Sequence, residues 1–536
     1  MPPPLSADLR SRNLELGIWQ EASLAEVVAA RADASPDRLA VADQHERLTY
    51  AELVERARRL AAWLVSQGLG RGASVLLQSS NRIAIPLTHL ACDIADLTFV
   101  PVSDAWRRTE LEHLLGTARA AIAIVPSPGA GFDHLGLVEE LRASLPDLRA
   151  VGTIDGGGGD FELAEACSGA SVGGERAHDA NAPRFVMVSS GTTDIPTMSL
   201  FSDNNLWFFM RQYGRHVGLG EADVAVGIAP ANTGATGYVF PVLGPLLHGA
   251  GSVLLERWAP RTALDLLAAE RATLATGVPT HLIKMLQEDD VAARDYSDLR
   301  VFNNAGAPLP PEVAAELERV FGCRVQSVYG ATDGGVPAMT SFEDPQDKRY
   351  TTVGRILPHT DVRLVDALLE DVPTGQAGEV LWRSPTKSHG YLNAPDRDAA
   401  VWLDDGYYRS GDVGELVQDG YLRIVGRAKD MIIRGGQNIS PREIEEAVAR
   451  HPSVAEVAVV GLPDQVYGER VCACISLRPG RTLGLEELGT HLDEIGLARF
   501  KRPEHLEVFE ELPASAGAKI NKVALRTEVQ QRLGNR

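Results

Sequence analysis

Short apolar runs alternate with amphipathic helical patterns along the first part of the chain, and this alternation limits the possible folds more than any other feature. Residues 74–78, 99–102 and 120–125 are apolar runs of strand length, and segments with helical spacing of apolar residues separate them. Strands that read as continuous apolar runs are typical of sheets buried on both faces. The alternation therefore predicts an α/β fold in which helices cover a parallel sheet.

Changes in this pattern divide the rest of the chain. A stretch rich in Gly, Ala and Ser, residues 156–181, predicts a surface linker, after which the alternation resumes to about residue 340. Short apolar runs between turn residues predict a small antiparallel β unit over about residues 350–425. We expect a large N-terminal domain of layered α/β subdomains plus this β unit, residues 1–428, and a small α+β C-terminal domain, residues 429–536.

Charge and cysteine content argue against several classes of partner. The formal net charge of −20 opposes non-specific binding to nucleic acid or to an anionic membrane, because both need a positive field. The cysteines are few and scattered, so a cytoplasmic protein without a disulfide framework is expected. Cys472 and Cys474 are predicted to lie on one face of a strand. Residues 1–5 lack the basic segment and apolar run of a signal peptide, so none is expected. Prolines interrupt the apolar stretch 235–255, which we interpret as buried core.

Five short segments in a fixed order carry residue types suited to nucleotide chemistry. They are residues 188–197, 328–333, 408–412, 426–439 and 513–520. The first follows an apolar strand, and its hydroxyls and loop N–H groups can donate to phosphate oxygens. Together with residues 48–53 and 375–379, the set resembles the adenylate-forming superfamily, which contains acyl-CoA synthetases, peptide-synthetase adenylation domains and firefly-type luciferases.

The resemblance implies roles for single residues in binding the AMP moiety of an acyl-adenylate. Tyr329 offers a flat face to adenine, and Thr332 donates to the α-phosphate as part of catalysis. Asp412 binds the ribose hydroxyls, and Arg427 also contacts the ribose. Asp333 stands where the family has a glutamate that binds Mg²⁺, and a carboxylate still suits a hard cation. The other phosphate contacts are expected from Ser189, Ser190, Gly191, Thr192 and Thr193.

The resemblance also implies that the C-terminal domain is mobile and serves two steps. Lys429 corresponds to the hinge, and Lys519 to the lysine that is brought to the carboxylate and α-phosphate for adenylation. Gly435 and Gly436 are expected to let the pantetheine arm of CoA pass close to the backbone during thiol attack.

Two stretches of small residues correspond to the lining of the family's acyl pocket. They contain Asn232, Thr233, Gly234, Ala305 and Gly306. Room for a bulky acid and tight packing both explain such residues, so the two interpretations stay open. Neither stretch contains an aspartate that could pair with an amino-acid ammonium, which favours a plain carboxylic acid.

The phosphate loop departs from the family pattern. Asp194 and Met198 replace glycines, and Thr197 replaces a lysine expected to face the β- and γ-phosphates. Asp203 replaces the histidine that usually follows the loop. Two unit charges about 4 Å apart interact by roughly 4 kcal/mol at an effective dielectric constant of about 20, so triphosphate affinity is expected to fall by orders of magnitude. An acyl-adenylate has no β- or γ-phosphate, and its binding is expected to survive.

We therefore expect an acyl-CoA ligase-type enzyme that forms an acyl-CoA from an acyl-adenylate and CoA, with ATP-dependent adenylation impaired or lost. A separate ligase would then supply the adenylate. The intact Lys519 favours the alternative of a complete ATP-dependent synthetase that uses Mg²⁺. The resemblance is also compatible with a carrier-protein-loading enzyme, a luciferase-like oxygenase or a non-catalytic adenylate-binding sensor.

Overall fold

Three β-sheets, each packed against helices, build the part of the chain that the structure describes. The structure is a computed structural model and describes residues 7–128, 131–171, 176, 178–189, 196–231, 234–373, 375–434, 437–464, 466–513 and 520–534. Within these ranges the sheets contain 13, seven and five strands.

The strands are numbered in chain order. From β1 to β25 they are Leu39–Ala42, Arg47–Thr49, Ser74–Ser79, Thr98–Ser103, Ala120–Val125, Ala150–Thr153, Phe161–Glu162, Pro183–Ser189, Thr197–Ser202, Val224–Gly227, Gly251–Leu254, Leu274–Gly277, Val301–Ala305, Arg324–Ala331, Gly335–Met339, Arg355–Ile356, Asp361–Val365, Gly378–Arg383, Tyr408–Val417, Tyr421–Arg427, Ile432–Arg434, Gln437–Ile439, Val454–Asp464, Gly468–Leu477 and His505–Phe509.

The helices are numbered in the same way. From α1 to α17 they are Ala7–Glu15, Leu24–Ala34, Tyr50–Ser66, Ala84–Ile94, Arg108–Ala118, His134–Leu141, Leu163–Ala166, Asp203–Val217, Gly244–His248, Pro260–Ala269, Pro279–Leu286, Pro311–Phe321, Gln346–Thr351, Pro395–Val401, Pro441–Ala449, Leu485–Glu494 and Lys522–Gly534. Ala235–Leu243 is a π-helix. Short 3₁₀ turns occupy Arg142–Ser144, Val291–Ala293, Gln418–Gly420, Ala428–Asp430 and Arg499–Lys501.

The seven-stranded sheet contains the three apolar runs that predicted the fold. They correspond to β3, β4 and β5, and β3 pairs in parallel with both of the others. Val75, Leu76 and Leu77 on β3 are fully buried, as expected for a strand covered on both faces. The predicted α/β class is therefore confirmed. The antiparallel hairpin β8–β9 forms one edge of this sheet.

The 13-stranded sheet has a parallel and an antiparallel half. Six neighbouring strands, β1, β11, β10, β12, β13 and β14, pair in parallel. The strands in the predicted β unit pair antiparallel, as expected, and they continue the large sheet through β16 and β20, where Arg355 pairs with Tyr421. Ligands of α/β sheets bind beyond the carboxyl ends of the parallel strands, and β14 ends where the two halves meet.

The third sheet and helices α15, α16 and α17 form the C-terminal part of the chain. Cys472 and Cys474 on β24 are both buried in one cluster with Leu525 and Val529 of α17. Alternate residues of a strand share a face, so the predicted placement of the two cysteines on one face of a strand is confirmed.

The prediction of a surface linker over residues 156–181 was wrong in part. Phe161–Glu162 pairs with β6, and Leu163–Ala166 is a helix with two buried residues. The ring of Phe161 packs against Trp63, with ring centroids 4.2 Å apart. A few apolar side chains among many glycines are enough to attach this segment to the core, and composition alone did not reveal that.

The apolar stretch 235–255 is buried core, as expected from its prolines. It forms the π-helix, α9 and β11, and most of its side chains are fully buried. Among the described residues, no helix is both long enough and apolar enough to cross a membrane.

Candidate active site

The carboxyl end of β14 carries the tyrosine expected to meet adenine. The hydroxyl of Tyr329 donates to Asp412 Oδ2 over 2.7 Å. Arg427 Nε lies 2.9 Å from the other oxygen, Asp412 Oδ1. Asp412 and Arg427 face each other across β19 and β20, so strand register brings this pair together. Burial, reinforced by the Asp412 charge, raises the pKa of Tyr329 well above its ordinary value, and the phenol stays a donor at neutral pH.

The turn after β14 places Asp333 between two phenols. Tyr408 donates to Asp333 Oδ1 over 2.8 Å, and Tyr391 donates to Oδ2. The Gly334 N–H also donates to Oδ1, over 3.1 Å. Burial and the carboxylate charge raise the pKa of both tyrosines. The carboxylate predicted to bind Mg²⁺ is therefore held in place by a set of hydrogen-bond donors.

Tight packing beneath this turn fixes its backbone. Trp382 Nε1 donates to Gly334 O over 2.7 Å, and the indole lies edge-on to Tyr329 with ring centroids 5.7 Å apart. A Cβ on Gly334 would lie 2.5 Å from a ring carbon of Tyr408 and 2.7 Å from one of Trp382, which is too close for any larger residue. Aromatic packing therefore determines the path of the turn that carries the Thr-Asp pair.

The phosphate loop connects the two strands of the β8–β9 hairpin. Ser189 pairs with Thr197 at the loop end of the hairpin, and their hydroxyl oxygens lie 2.7 Å apart. Met198 is buried and packs in the cluster that contains Val188 and Leu200. Thr197 therefore closes the hairpin through an uncharged contact, and Met198 is a core residue rather than a phosphate contact.

Residues of the predicted acyl pocket border the same turn. A Cβ on Gly234, where φ is +72°, would lie 3.8 Å from Cγ2 of Thr332. Ala305 is buried at the end of β13 and pairs with Val328 on β14. Gly306 follows with a φ of +84°, a conformation that favours glycine. The structure thus brings Gly234 and Ala305 to the end of β14, where the predicted nucleotide residues lie.

Several predicted residues fall outside the described ranges, and their roles stay predictions. They are Ser190, Gly191, Thr192, Thr193, Asp194, Asn232, Thr233, Gly435, Gly436 and Lys519. The predicted hinge residue, Lys429, is exposed in the turn Ala428–Asp430 that follows β20.

A buried charge cluster lies at the opposite end of the β8–β9 hairpin from the phosphate loop. His178 Nε2 lies 3.0 Å from Asp203 Oδ2, and its Nδ1 lies 3.3 Å from Asp93 Oδ1. Asp203 also accepts from the Leu24 N–H, and Asp93 accepts from the Ala25 N–H. Burial opposes protonation of the imidazole, but the two carboxylates outweigh it and raise the pKa of His178 to about 9.

This cluster could in principle hold a metal ion, since its ligand atoms lie within 4.8 Å of one another. The two nitrogens of His178 face different carboxylates, however, whereas a metal centre needs one nitrogen and both carboxylates directed at one point. We therefore interpret it as an ion-pair cluster in which an imidazolium from the segment before β8 neutralises the carboxylate at position 203.

Sequence reasoning missed Tyr391 and His178 and assigned no role to Tyr408. Tyr391 and Asp333 are 58 positions apart, and no spacing rule connects them. His178 stands in a stretch whose composition predicted a linker. The available signals were weak: Tyr408 opens one of the five segments, and Asp203 replaces a histidine and so needs a cation from elsewhere in the chain.

Two family matches cover most of the chain. The family described as AMP-binding enzyme matches residues 28–392, and the family described as AMP-binding enzyme C-terminal domain matches residues 443–519. The first range contains Tyr329, Thr332 and Asp333, and the second ends at Lys519.

Individual relatives match over nearly their whole length. The medium-chain fatty-acid–CoA ligase of Escherichia coli (strain K12) is 32% identical over 98% of this chain and 93% of its own. The salicylyl-CoA synthase / salicylate adenylyltransferase of a Streptomyces species is 34% identical over 98% of this chain and 97% of its own. The crystal structure of the anthranilate CoA ligase AuaEII in complex with anthranoyl-AMP has a TM-score of 0.87 at 23% identity, covering 95% and 97% of the two chains, and shows the same fold.

Proposed function

Since the chain belongs to the AMP-binding enzyme family and is an enzyme of the acyl-CoA ligase type, we propose that it joins a carboxylic acid to CoA through an acyl-adenylate. The acid and ATP form the acyl-adenylate and pyrophosphate, and the CoA thiol then displaces AMP to form the thioester. The first half-reaction is the weaker one, because the hairpin that carries the phosphate loop lacks a cation at position 197.

The observation that carries this proposal is the hydrogen-bonded set of Tyr329, Asp412 and Arg427. A carboxylate with two acceptor oxygens matches two ribose hydroxyls, and the adjacent tyrosine ring suits an adenine. Gly234 beside Thr332 leaves space at the point where an acyl group would meet the α-phosphate. These contacts support recognition of the adenylate and need no β- or γ-phosphate.

The contact of Thr197 with Ser189 supports weaker binding of the triphosphate. A hydroxyl bonded inside the hairpin supplies no charge to phosphate oxygens. Backbone and hydroxyl donors of the loop, together with a divalent cation, then have to hold the β- and γ-phosphates. ATP is accepted under this proposal, but at a higher concentration than the acyl-adenylate.

The carboxylate of Asp333 fits a magnesium ion. Mg²⁺ prefers oxygen ligands, and among the described residues Asp333 Oδ2 accepts one hydrogen bond, so it keeps a lone pair for a cation. When bound, Mg²⁺ neutralises phosphate charge. Tyr391 and Tyr408 orient the carboxylate for that role.

The proposed substrate is an acid without an ammonium group. The names of the two relatives include a medium-chain fatty acid and salicylate. Residues 234 and 303–307 include no carboxylate that could pair with an amino-acid ammonium. Free CoA is the proposed acceptor, and a carrier protein is the alternative.

The test compares two routes to the same thioester. Purified protein receives either octanoate or salicylate with MgATP and CoA, or the corresponding synthetic acyl-adenylate with CoA. Acyl-CoA is expected from both routes, with the adenylate route at least about tenfold faster at equal concentrations, in line with the lost charge contact. Failure of the adenylate route with both acids would contradict the function, and equal rates would contradict the weakened first half-reaction.

A stricter version of the proposal follows from the same Thr197 contact. If ATP supports no adenylate formation at any concentration, the chain carries out thioester formation alone and a separate ligase supplies the acyl-adenylate. Pyrophosphate exchange into ATP in the presence of the acid distinguishes the two versions, because it reports the first half-reaction without CoA.

A further inference from the structure

Tyr391 is fixed to the strand that leaves the phosphate loop. Its backbone forms a bridge with Ser199 on β9. On either side, the Leu200 N–H donates to Gly390 O over 2.9 Å, and the Leu392 N–H donates to Met198 O over 2.8 Å. The position of Tyr391 therefore follows the position of β9, which begins at the loop end of the hairpin.

A second contact holds the same residue from the other side. The Tyr391 N–H donates to Asp398 Oδ1 over 2.8 Å. The neighbouring Gly390 has a φ of +110°, and a Cβ there would lie 2.9 Å from the carboxylate oxygens of Asp398. Glycine at position 390 therefore allows Asp398 to approach, and the backbone of Tyr391 has little freedom to move.

The hydroxyl of this fixed residue reaches Asp333 Oδ2. The two oxygens of Asp333 differ in their surroundings. Oδ1 accepts from both Tyr408 and Gly334, whereas Oδ2 accepts a single hydrogen bond from the described residues, the one from Tyr391. Tyr391 therefore sets the direction of the oxygen that still has a lone pair for a cation.

We propose that Tyr391 is a positioning residue: it couples the strand after the phosphate loop to Asp333 and holds Oδ2 where it takes up the divalent cation of a bound nucleoside triphosphate. The inference rests on the proposed function and extends it by a residue outside the five segments that predicted the site. Tyr391 itself touches neither the nucleotide nor the acid in this role, and it acts through Asp333.

The decisive variant is Tyr391→Phe, which removes one hydroxyl and keeps the ring. Mn²⁺ binding in the presence of α,β-methylene-ATP, measured by electron paramagnetic resonance, is expected to weaken about tenfold, because a hydrogen bond to a charged group is lost. The KM for MgATP in pyrophosphate exchange should rise in parallel. Thioester formation from a supplied acyl-adenylate should stay unchanged, since that step uses no triphosphate.

Tyr407→Phe is the matched control. Tyr407 precedes Tyr408 in the chain, and it also donates to a carboxylate, that of the exposed Asp361. Tyr407→Phe removes a phenolic hydroxyl next to the site, as Tyr391→Phe does, but leaves the hydrogen bonds of Asp333 intact. Mn²⁺ binding and the KM for MgATP should equal those of the wild type.

A double-mutant cycle tests whether Tyr391 acts through Asp333. Asp333→Asn alone should weaken Mn²⁺ binding, and adding Tyr391→Phe should then weaken it no further, because residues that act as one unit are not additive. Additive effects, or wild-type Mn²⁺ binding by Tyr391→Phe together with a lowered melting temperature, would show a purely structural role and overturn the inference.

Mn²⁺ binding and thioester formation by the wild type distinguish a failure of this inference from a failure of the proposed function. If the wild type binds no Mn²⁺ with the ATP analogue but still forms acyl-CoA from the acyl-adenylate, the positioning role is wrong and the thioester half of the function stands. If it also forms no acyl-CoA from the adenylate, the proposed function has failed as well.

Discussion

At the scale of single residues, charge at two positions separates binding of the adenylate from binding of the triphosphate. Asp412 keeps a full carboxylate beside Tyr329 and Arg427, whereas Thr197 offers an uncharged hydroxyl that contacts Ser189. The contribution of each side chain can be tested by replacing it.

Thr197→Lys is expected to improve use of the triphosphate. An ammonium near the β- and γ-phosphates should lower the KM for MgATP by at least about tenfold, because one charge attraction is gained. Pyrophosphate exchange is the measurement. Thr197→Ala serves as the control, because it also loses the contact with Ser189 but adds no charge, and equal behaviour of the two variants would refute the charge explanation.

Asp412→Asn is expected to weaken AMP and acyl-adenylate binding about tenfold or more, because charge-assisted hydrogen bonds are about twice as strong as neutral ones. Isothermal titration with AMP measures the effect. Glu415→Gln is the control on the same strand, where Glu415 pairs with Arg423 across β19 and β20 much as Asp412 pairs with Arg427. A similar loss in the control would mean that the two strands, and not the carboxylate at 412, determine affinity.

At the scale of elements, the His178 cluster joins four parts of the chain. Asp93 lies on α4, Asp203 begins α8, and their carboxylates accept from the first residues of α2, while His178 comes from the segment before β8. The hairpin that carries the phosphate loop is thus attached to two helices at its far end. Removing the cation leaves buried carboxylates without compensation, a strongly destabilising change.

His178→Gln should lower the free energy of unfolding by about 3 kcal/mol near pH 7. The pKa of His178 is raised in the folded state, so its stabilising contribution is complete below the unfolded value of about 6.5 and is lost as pH rises through about 9. Urea unfolding between these values should show a decline in the wild type that is smaller in the variant, where Asp93, whose pKa is raised by burial and by the Asp203 charge, still titrates on unfolding.

His216→Gln is the control for this pH dependence. His216 is half-buried on α8, and its Nδ1 contacts the Gln212 carbonyl rather than a carboxylate. The His216→Gln variant should keep the wild-type decline in the free energy of unfolding with rising pH. A decline of undiminished size in His178→Gln would show that another group causes it.

At the scale of the whole molecule, polar contacts between described residues join the two parts of the chain on either side of the predicted hinge. Arg450, the residue that follows α15, lies 2.9 Å from Glu312 of α12, and both side chains are about half exposed (47% and 50%). Ser440 donates to the Val425 carbonyl. Exposed ion pairs contribute about 1 kcal/mol or less, so the pair of Arg450 and Glu312 adds little resistance to the movement that the predicted hinge requires.

Lys429→Pro tests the predicted hinge. Proline fixes φ near about −65° and should hinder rotation of the chain at this turn. We expect one half-reaction to fall by at least about tenfold, with the other changed by less than about twofold, as for a step limited by domain rearrangement. Adenylation and thioester formation are assayed separately. Lys429→Ala, which removes the side chain without restricting the backbone, should leave both rates near those of the wild type.

The sequence by itself determined the fold class and the chemical class of the site. Apolar runs of strand length are typical of strands in a sheet covered on both faces, which explains why β3, β4 and β5 were predictable. Asp412 and Arg427 were recognisable because short motifs keep their spacing along the chain. The antiparallel pairing of the strands over residues 350–425 followed from turn residues between short apolar runs.

Only the tertiary structure decided which side chains surround those motif residues. Tyr391 meets Asp333 because one segment lies against β9 and the other ends β14, and these contacts form between elements that are distant in sequence. His178 compensates Asp203 for the same reason, although its segment has the composition of a linker. Local sequence determines what each strand and loop can be, whereas the partner of a buried charge depends on packing across the whole molecule.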